Sequence, residues 1–401
     1  MGTNLSDYFT GIAAKRLARV EIHSNQHEFN GTAKLKSFLG TERKKFPVTY
    51  MFLPDEQEQI LQTKGTLTWY DVRKSNPDRS AEFRLYYDDK DIIPNAETGD
   101  LVVFCRNKNG EIVIIVSPQG STSEQQILWL FNLDEVENIF RLKEYEDEKR
   151  DIGPAGKHIL DQLGIVQGEE DDNYLEQMLR KFGTEFPSTR EFSKFARSTV
   201  KGISVREAPD EALMAWWERE GILLRTFESA IIKRKLEQGF GDDQVRVEGF
   251  IQYALSVLNR RKSRAGHSFE NHLEAIFSDH QLEFSRNSKT ERTSRPDFIF
   301  PGEQAYHNHS FDPLMLTMLA AKTTLKDRWR QILPEADRIP AKHLVTLEPA
   351  ISQNQTTEII ANDIQLVIPS PLMDTFSENQ KQYLMPLSSF IELVKARQVN
   401  N

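Results

Sequence analysis

The chain has almost no cysteine: Cys105 is the only one in 401 residues. A single cysteine excludes an internal disulfide and any zinc site built from several cysteines, and it predicts a reducing, cytoplasmic location. No stretch approaches the roughly 18 uncharged apolar residues that a membrane-spanning helix needs. The N-terminal residues MGTNLSDYF lack the apolar core of a signal peptide. The sequence therefore predicts a folded cytoplasmic protein with no membrane association.

An excess of positive charge is also lacking. The chain carries 51 Lys and Arg residues against 60 Asp and Glu residues, which gives a formal net charge of −9. This balance excludes a protein coated uniformly with positive charge, but it leaves open a local basic cleft of the kind that binds nucleic acid. The hydrophobic content of 38% is ordinary for a folded protein, and 401 residues predict two or three domains.

Sequence patterns divide the chain into two parts joined by a linker. Residues 1–145 contain short apolar runs separated by turn signals, which predicts a small β barrel or sandwich; the runs are TYMFL, TLTWYDV, AEFRLYY, LVVFC, IVIIV and ILWLF. Residues 146–185 are dense in charge and predict a linker that contains one short helix. Residues 186–401 show helical periodicity, then strands alternating with helices, which predicts an α/β domain.

An acid and a lysine stand at the ends of two predicted strands. Asp297 precedes the run Phe-Ile-Phe, and Lys322 ends the run Met-Leu-Ala-Ala-Lys. Metal-dependent phosphodiester hydrolysis uses such a pair, because the carboxylate holds Mg²⁺ while the lysine orients water or offsets developing charge. The common PD-(D/E)XK pattern has a second acid where this chain has Ala320. Glu335, on a predicted helix, could fill the same point in space, and Glu270 is a further candidate acid. Each acid alone is equally explained as a capping or surface residue.

Two polar segments lie close to these acids. Lys326, Asp327 and Arg328 could read adjacent C and G bases from the major groove, or could form an ordinary helix start with surface ion pairs. A cluster of four cations before the Glu270 helix could contact phosphates or form a solvated helix end; its members are Arg260, Arg261, Lys262 and Arg264.

These segments together resemble the EcoRII-type restriction endonucleases, a branch of the PD-(D/E)XK nuclease superfamily. The likeness rests on NRRKSRAGHSFENHLEAIF, RPDFIFPGEQAYH and LAAKTTLKDRWRQILPEADRI. A displaced second acid is a hallmark of this branch. The resemblance implies a catalytic centre of Asp297, Lys322 and Glu335, in which Asp297 and Glu335 hold Mg²⁺, Glu270 assists and Tyr306 lies nearby. Pro334 departs from the pattern, because a proline inside the predicted helix of Glu335 tends to kink it.

The same resemblance assigns roles to the polar segments and to the N-terminal half. Lys326, Asp327 and Arg328 would read CC/GG steps, and the segment RKSRAG would lie along the DNA. DYFTGIAAKRL, AEFRLYY and GDLVVFC resemble, in order, the family's effector domain, a β pseudobarrel related to plant transcription-factor DNA-binding domains. Arg84 could equally be an ordinary outward-facing strand residue. The candidate DNA contacts in this half are Lys15, Arg16, Asn25, Gln26, Arg73, Lys74, Arg79 and Arg84.

The resulting interpretation is an α+β multidomain protein, with an N-terminal β pseudobarrel followed by an α/β restriction-endonuclease-like domain. It would be a homodimeric, Mg²⁺-dependent type II restriction endonuclease that cleaves duplex DNA at a short symmetric site similar to CCWGG, with a separately encoded DNA methyltransferase. Two alternatives remain: a catalytically silent DNA-binding regulator, and a repair nuclease that acts on mismatches or unusual structures. The presence of Asp297, Lys322 and Glu335 argues against the silent regulator, and the base-reading residues argue against the repair nuclease.

Overall fold

The chain forms two compact units in the computed structural model, which describes residues 4–23, 26–31, 34–54, 60–75, 78–145, 151–165, 171–240, 243–291 and 294–399. One unit comprises Met1–Val166 with Pro349–Thr356, and the other comprises Gln167–Glu348 with Thr357–Asn401. The division falls inside the segment 146–185 that the sequence predicts as a linker. In the described residues of that segment there are two helices, where the sequence predicts one.

The first unit is built on a sheet. Its strands are β1 (Phe9–Arg16), β2 (Glu28–Asn30), β3 (Lys44–Phe52), β4 (Leu61–Asp71), β5 (Phe83–Tyr87), β6 (Leu101–Asn107), β7 (Ile112–Ser117) and β8 (Arg141–Glu144). They are arranged in the order β2-β5-β4-β3-β7-β6-β1-β8. Neighbouring strands are antiparallel, except that β3 and β7 run parallel. The helices of this unit are α1 (Arg19–His23), α2 (Leu35–Leu39), α3 (Thr122–Phe131) and α4 (Gly153–Gln162).

Strand β6 is buried on both faces, and this explains its continuous apolar sequence LVVFC. Because side chains alternate along a strand, Val102 and Phe104 enter one core while Leu101, Val103 and Cys105 enter the other. Burial raises the pKa of the Cys105 thiol, so this residue is inert packing rather than a reactive group.

The prediction that ILWLF forms a strand is wrong, because this run lies in helix α3. The hydroxyl of Ser121 caps the helix by accepting the backbone N–H of Glu124 at 3.0 Å, and Asn132 ends it in the left-handed conformation at φ 51°. Ile127, Leu130 and Phe131 then face the core together. A short apolar run does not by itself distinguish a strand from a buried helix.

The second unit combines a helical part with a smaller sheet. Its helices are α5 (Asp172–Phe182), α6 (Thr189–Thr199), α7 (Pro209–Gln238), α8 (Asp243–Asp279), α9 (Glu303–His307), α10 (Gln353–Ala361, of which residues 357–361 belong to this unit), α11 (Glu378–Lys381) and α12 (Leu387–Val399). Helix α7 ends at Gly239, as its sequence predicts, and α8 is one continuous helix through the segment RKSRAG. Among the described residues, no helix is both long and apolar enough to cross a membrane.

The sheet of the second unit holds the predicted acid and lysine on adjacent strands. Its strands are β9 (Ser285–Arg286), β10 (Phe298–Phe300), β11 (Thr317–Lys322), β12 (Lys342–Thr346), β13 (Ile364–Val367) and β14 (Leu384–Met385). The strands follow the order β14-β13-β12-β11-β10-β9; those from β11 to β14 are parallel, while β9 and β10 are antiparallel to their neighbours. The strands predicted from DFIF, MLTMLAAK, KHLVTLE and IQLVIP are confirmed as β10 to β13.

A cluster of phenylalanines fixes the position of strand β10. Phe277 of α8 meets Phe298 and Phe300 edge to face, at ring-centroid distances of 5.2 and 5.3 Å. Phe390 of α12 packs on Phe300 at 5.7 Å. Edge-to-face aromatic pairs add to the energy of burial. Helices α8 and α12 therefore hold the strand that immediately follows Asp297.

Asp210 ties the start of helix α7 to the C-terminal part of this unit. Its buried carboxylate accepts backbone N–H groups from Ser370 at 3.0 Å, Leu387 at 2.8 Å and Ser388 at 2.9 Å. Hydrogen bonds to a charged acceptor are stronger than neutral ones, and buried donors that lose their acceptor are costly.

We expect Asp210→Ala to lower the free energy of unfolding by about 3 kcal/mol, because three backbone donors would lose their acceptor. Urea denaturation followed by circular dichroism measures the change. The neighbouring exposed Glu211 provides the control, since Glu211→Ala should change stability by less than about 0.5 kcal/mol. Equal effects of the two substitutions would contradict this role of Asp210.

Candidate active site

Asp297 and Lys322 meet at the point where strands β10 and β11 lie side by side. The strand register pairs Phe298 with Leu319, which brings the residue before β10 next to the end of β11. Oδ2 of Asp297 accepts the backbone N–H of Ala321 at 2.7 Å and the ammonium of Lys322 at 3.1 Å. Both side chains are largely shielded from water, with 12% and 17% of their surface exposed. Two residues 25 positions apart therefore form one charged pair.

The charges of Lys322 and Asp297 act on Glu335. Its pKa is raised to about 7, mainly because the side chain is buried; the charge of Lys322 opposes this shift, that of Asp297 adds to it, and that of Lys342 opposes it. These groups act on Glu335 because they lie near it. The structure thus brings the two acids and the lysine of the sequence prediction into one region of the second unit.

The prediction that Glu335 lies on a helix is wrong. A 3₁₀ helix covers Lys326–Ile332 and ends before Pro334, which has no backbone N–H to continue it. Glu335 lies in the following turn, where its N–H donates to the carbonyl of Ile332 at 3.0 Å. The next residue, the fully buried Ala336, adopts a left-handed conformation at φ 50°, which is unfavourable for a residue with a Cβ. The carboxylate is therefore carried by a tight turn rather than by a helix.

Glu291 and Arg338 hold that turn against helix α9. The hydroxyl of the buried Tyr306 donates to Glu291, whose other carboxylate oxygen accepts the backbone N–H of Asp337 at 3.2 Å. The guanidinium of Arg338 donates to the carbonyl of Tyr306, and also to those of Asn308 and Phe311, both at 3.1 Å. We call Glu291, Tyr306 and Arg338 the turn clamp, since they fix the residues that immediately follow Glu335.

Glu270 lies on helix α8 beside strand β9. Its carboxylate receives Nη2 of Arg286 at 2.7 Å and Nε at 3.2 Å. The same guanidinium reaches Glu274 and the side-chain oxygen of Asn271, both at 2.8 Å. Arg286 pairs in the sheet with Phe298, the residue after Asp297. Arg286 therefore neutralises the charge of Glu270 and links this residue to strand β10, which follows Asp297.

Residues 224–391 match the family described as EcoRII C terminal. The type II restriction enzyme EcoRII of Escherichia coli is 40% identical over 240 residues, which cover 60% of this chain and 57% of that enzyme. The chain thus spans little more than half the length of this curated relative. The family match at residues 224–391 includes Glu270, Asp297, Tyr306, Lys322 and Glu335. Together with the identity to the E. coli enzyme, it confirms the resemblance inferred from the sequence motifs.

Three solved structures are also similar to the chain. Metal-depleted Ecl18kI in complex with uncleaved, modified DNA is 18% identical, with a TM-score of 0.44, over 57% of this chain and 85% of that one. Metal-depleted Ecl18kI in complex with uncleaved DNA is 17% identical, with a TM-score of 0.45, over 57% and 84%. The complex of the restriction endonuclease PspGI with substrate DNA is 15% identical, with a TM-score of 0.45, over 54% and 95%.

The predicted base-reading residues stand at the start of the 3₁₀ helix that follows Lys322. Lys326 and Arg328 are half-buried, and the side chain of Asp327 lies outside the described part of the structure. The adjacent Trp329 is buried in the core, and Arg330 packs over its ring at 4.7 Å while pairing with Glu358 at 2.8 Å. The indole of Trp329 therefore anchors the 3₁₀ helix, and Lys326 and Arg328 lie near the end of strand β11.

The arginines of the predicted phosphate-contacting segment turn largely into the helical part of the second unit. Arg260 stacks on the ring of Phe186 at 4.1 Å, and Arg261 pairs with the buried Glu228. Arg264 is only 6% exposed and donates to the carbonyl of Pro187. The expectation that Arg264 contacts DNA is not supported, because its charge is buried; the side chain of Lys262 lies outside the described residues.

Several of the predicted DNA contacts in the first unit are engaged inside it. Lys15 is 3% exposed and its ammonium lies 2.5 Å from Glu21, so it forms a core ion pair instead of a surface contact. Arg16 pairs with Glu124 at 2.5 Å, Arg84 with Glu28 at 2.7 Å, and Arg73 with Glu82. Gln26 accepts a weak hydrogen bond from Arg84 at 3.4 Å, and Asn25 lies outside the described residues. Lys74 and Arg79 are exposed.

Sequence reasoning missed Glu291 and Arg338. Glu291 lies in the polar loop KTERTSRP, and Arg338 follows the Glu335 turn, so neither belongs to a periodic pattern. Their importance arises only from contacts with Tyr306 and with backbone groups of the turn. No local sequence signal identifies such contacts.

We expect Tyr306→Phe to lower the free energy of unfolding by about 1–3 kcal/mol, because the half-buried carboxylate of Glu291 would lose its hydroxyl donor. Amide hydrogen exchange in residues 335–339 should also become faster, since the clamp would loosen. Tyr383→Phe is the control, because that ring is 49% exposed. Unchanged exchange in the Glu335 turn would contradict the clamp.

Proposed function

We propose that this chain is a type II restriction endonuclease of the EcoRII type, which hydrolyses phosphodiester bonds of duplex DNA in a Mg²⁺-dependent reaction. The observation that supports the proposal most directly is the ion pair between Asp297 and Lys322, whose charges also act on Glu335. These residues fall within the segment that matches the EcoRII C terminal family. An acid pair beside an ammonium, in a site largely shielded from water, suits the hydrolysis of an anionic ester.

The donor set fits Mg²⁺. Asp297 and Glu335 offer carboxylate oxygens, which are the ligands that this hard cation prefers, and Mg²⁺ needs only one or two protein carboxylates. Within the described ranges, no cluster of three or more acid, histidine or cysteine side chains forms a complete metal cage. Burial is the main cause of the raised pKa of Glu335, and a bound cation would favour its charged form. When bound, Mg²⁺ supplies Lewis-acid stabilisation of the charge that develops on the phosphoryl group.

The protein groups then have distinct tasks. Asp297 holds the ammonium of Lys322 in place, and Lys322 orients the attacking water or donates to a phosphoryl oxygen as negative charge develops. The water attacks phosphorus, and the 3′ oxygen leaves. Glu270 assists from the edge of the site through its contact with Arg286. Tyr306 acts indirectly, since the turn clamp fixes the residues next to Glu335.

Sequence recognition belongs to the start of the 3₁₀ helix in this proposal. Arginine and lysine can donate to guanine O6 and N7, and aspartate can accept from cytosine N4, so Lys326, Asp327 and Arg328 together suit adjacent C and G bases. The proposed site is therefore short, symmetric and similar to CCWGG. A symmetric site favours a homodimer in which each active site cuts one strand. Arg260 and Arg261 contribute to phosphate contacts along helix α8.

The first unit acts as an effector domain in this proposal, a β pseudobarrel that binds a second copy of the DNA and regulates the second unit. Its exposed cations in the connection between β4 and β5, Lys74 and Arg79, are the candidates that the described contacts favour. The enzyme works in the cytoplasm, together with a separately encoded DNA methyltransferase that protects host DNA.

The direct test is to incubate the protein with plasmid DNA and Mg²⁺ and to sequence the fragment ends. Discrete fragments with a shared end sequence would support the proposal and would give the recognition site and the stagger together. Intact plasmid, or fragments with unrelated ends, would contradict a site-specific endonuclease.

Asp297→Ala should reduce cleavage to an undetectable level, because it removes both a metal-binding carboxylate and the anchor of Lys322. Specific binding of a site-containing duplex should persist, as measured by fluorescence anisotropy in EDTA. Asp374→Ala is the matched control, since the Asp374 side chain is 97% exposed, and this variant should cut like the parent protein. Substantial cleavage by Asp297→Ala would rule out the proposed catalytic centre.

Arg328→Ala should cost about 1–3 kcal/mol of discrimination at one base position of the site, since a base-edge contact is lost. Cleavage rates on duplexes with single substitutions measure this change. Arg330→Ala, on the same 3₁₀ helix but paired with Glu358, should leave the preference unaltered. An equal loss of affinity for all sequences would instead assign Arg328 to a phosphate contact.

A further inference from the structure

A cleft in the first unit is lined by cations to which neither the motifs nor the family resemblance gives a role. It has a volume of about 500 Å³ and is formed by the segment between helix α2 and strand β3, together with the end of strand β6. Its polar lining comprises Ser37, Thr41, Glu42, Arg43, Lys44 and Arg106. We call it the β3 cleft.

The loop that forms the cleft is firmly anchored. The indole Nε1 of the buried Trp69 donates to the carbonyl of Gly40 at 2.9 Å, and Arg106 donates to the carbonyl of Phe38 at 2.6 Å. Gly40 itself has φ 94°, a conformation that glycine adopts without strain. The cleft is therefore a preformed feature of the sheet end rather than a loose loop, and preformed sites lose less entropy on binding.

Positive charge at the cleft is not neutralised by the protein. Arg43, Lys44 and Lys45 are exposed, and within the described ranges none of them forms an ion pair with a carboxylate. Glu42 is the one acid in the sequence GTERKK. This contrasts with Arg73 and Arg84 in the same unit, which pair with Glu82 and Glu28. A chain with a net charge of −9 thus concentrates unpaired cations at one place.

Neutral hydrogen-bond donors at the cleft also favour a ligand that carries oxyanions. Over the residues that the structure describes, the backbone N–H groups of residues 41–43 have no protein acceptor. The hydroxyl of Thr41 adds a side-chain donor to the lining, whereas that of Ser37 already donates to the carbonyl of Lys34 at 3.0 Å. Backbone N–H groups, hydroxyls and cations together are the groups that contact phosphate oxygens in protein–DNA interfaces.

The cleft lies at the end of the sheet that carries the exposed cations of the β4–β5 connection. Lys44 at the start of β3 pairs with Trp69, two residues before β4 ends, and residues 72–82 then connect to β5. Strand β7 runs parallel to β3 from Ile112, so the β6–β7 turn with the exposed Lys108 lies at this end too. The cations therefore extend beyond one phosphate, which favours an extended phosphodiester backbone over a single small anion.

We propose that the β3 cleft binds the phosphodiester backbone of a DNA duplex held by the first unit, with Arg43 and Lys44 in contact with phosphate oxygens. The inference rests on the proposed function of this unit as an effector domain, and it adds a binding surface to it. Such contacts position the DNA without reading its sequence. Free nucleotides offer the same phosphate chemistry, so the experiment must separate the two sources.

A lysine footprint tests the cleft in the full-length chain. Acetylation of lysines, read by mass spectrometry, is compared without DNA and with a saturating duplex in EDTA. We expect Lys44 to be protected by the duplex, whereas Lys64 and Lys90 remain reactive, since Thr63 and Asp89 are bonded to each other near the opposite end of β4. Equal reactivity of Lys44 with and without duplex would overturn the proposal.

Paired variants provide the second measurement. The double substitution Arg43→Ala/Lys44→Ala should reduce the slope of log affinity against log salt by about 1.8, because each lost phosphate contact removes about 0.9 for duplex DNA. Lys64→Ala/Lys90→Ala removes the same charge elsewhere and should leave the slope unchanged. An unchanged slope in the cleft variant would overturn the proposal. Calorimetry with ATP tests the alternative that the cleft binds a free nucleotide. A cleft variant that lost ATP binding but kept duplex binding would also overturn the proposal. Plasmid cleavage, measured in parallel, reports separately on the proposed function of the second unit.

Discussion

The contact between Asp297 and Lys322 is the constraint on which the second unit depends. One carboxylate oxygen is shared between the backbone N–H of Ala321 and the ammonium of Lys322, so the strand pairing itself locates the charge pair. A shift of one residue in the pairing of β10 with β11 would turn these side chains to the opposite faces of the sheet. The phenylalanine cluster of α8, β10 and α12 prevents such a shift, because Phe298 and Phe300 already pack against Phe277 and Phe390. The same register of β10 against β11 therefore satisfies both the packing of the phenylalanines and the contact between Asp297 and Lys322.

In the proposed catalytic centre, the second acid is carried by a different kind of element. Ala320 lies two residues before Lys322, where the common pattern has a carboxylate, and this position is fully buried. A small apolar side chain suits that environment, whereas a carboxylate there would need its own partners. Glu335 is carried instead by a turn that contains a left-handed alanine and is held by Tyr306, Glu291 and Arg338. Because the acid is on a turn, β11 can pack with a small apolar side chain at Ala320. The turn itself requires the contacts of the turn clamp to hold it.

Sequence patterns predicted the parts of this arrangement that depend on local periodicity. The strands around Asp297 and Lys322, the long helix α8 and the end of α7 at Gly239 follow from alternation, helical spacing and glycine chemistry. The patterns failed where a distant partner decides the outcome. ILWLF became a helix because Ser121 caps it, and Glu335 left the predicted helix because Pro334 cannot continue one. Glu291 and Arg338 had no pattern at all, since their partners are the phenol of Tyr306 and backbone groups distant in sequence.

Distant partners also decide which cations remain available to a ligand. In an acidic protein, a DNA-binding surface is therefore recognised from unpaired cations rather than from basic segments of the sequence. Several cations in basic segments are used internally: Lys15 by Glu21, Arg16 by Glu124 and Arg264 by a carbonyl. Long, flexible cationic side chains reach such partners easily. The number of Lys and Arg residues in a segment therefore does not give the number of cations available to a ligand. At the start of β3 the situation is reversed, because neighbouring cations share a rigid loop with a single acid, Glu42. Charge left without an internal partner, on an anchored loop, retains its full attraction for phosphate, and the net charge of the chain does not reveal it.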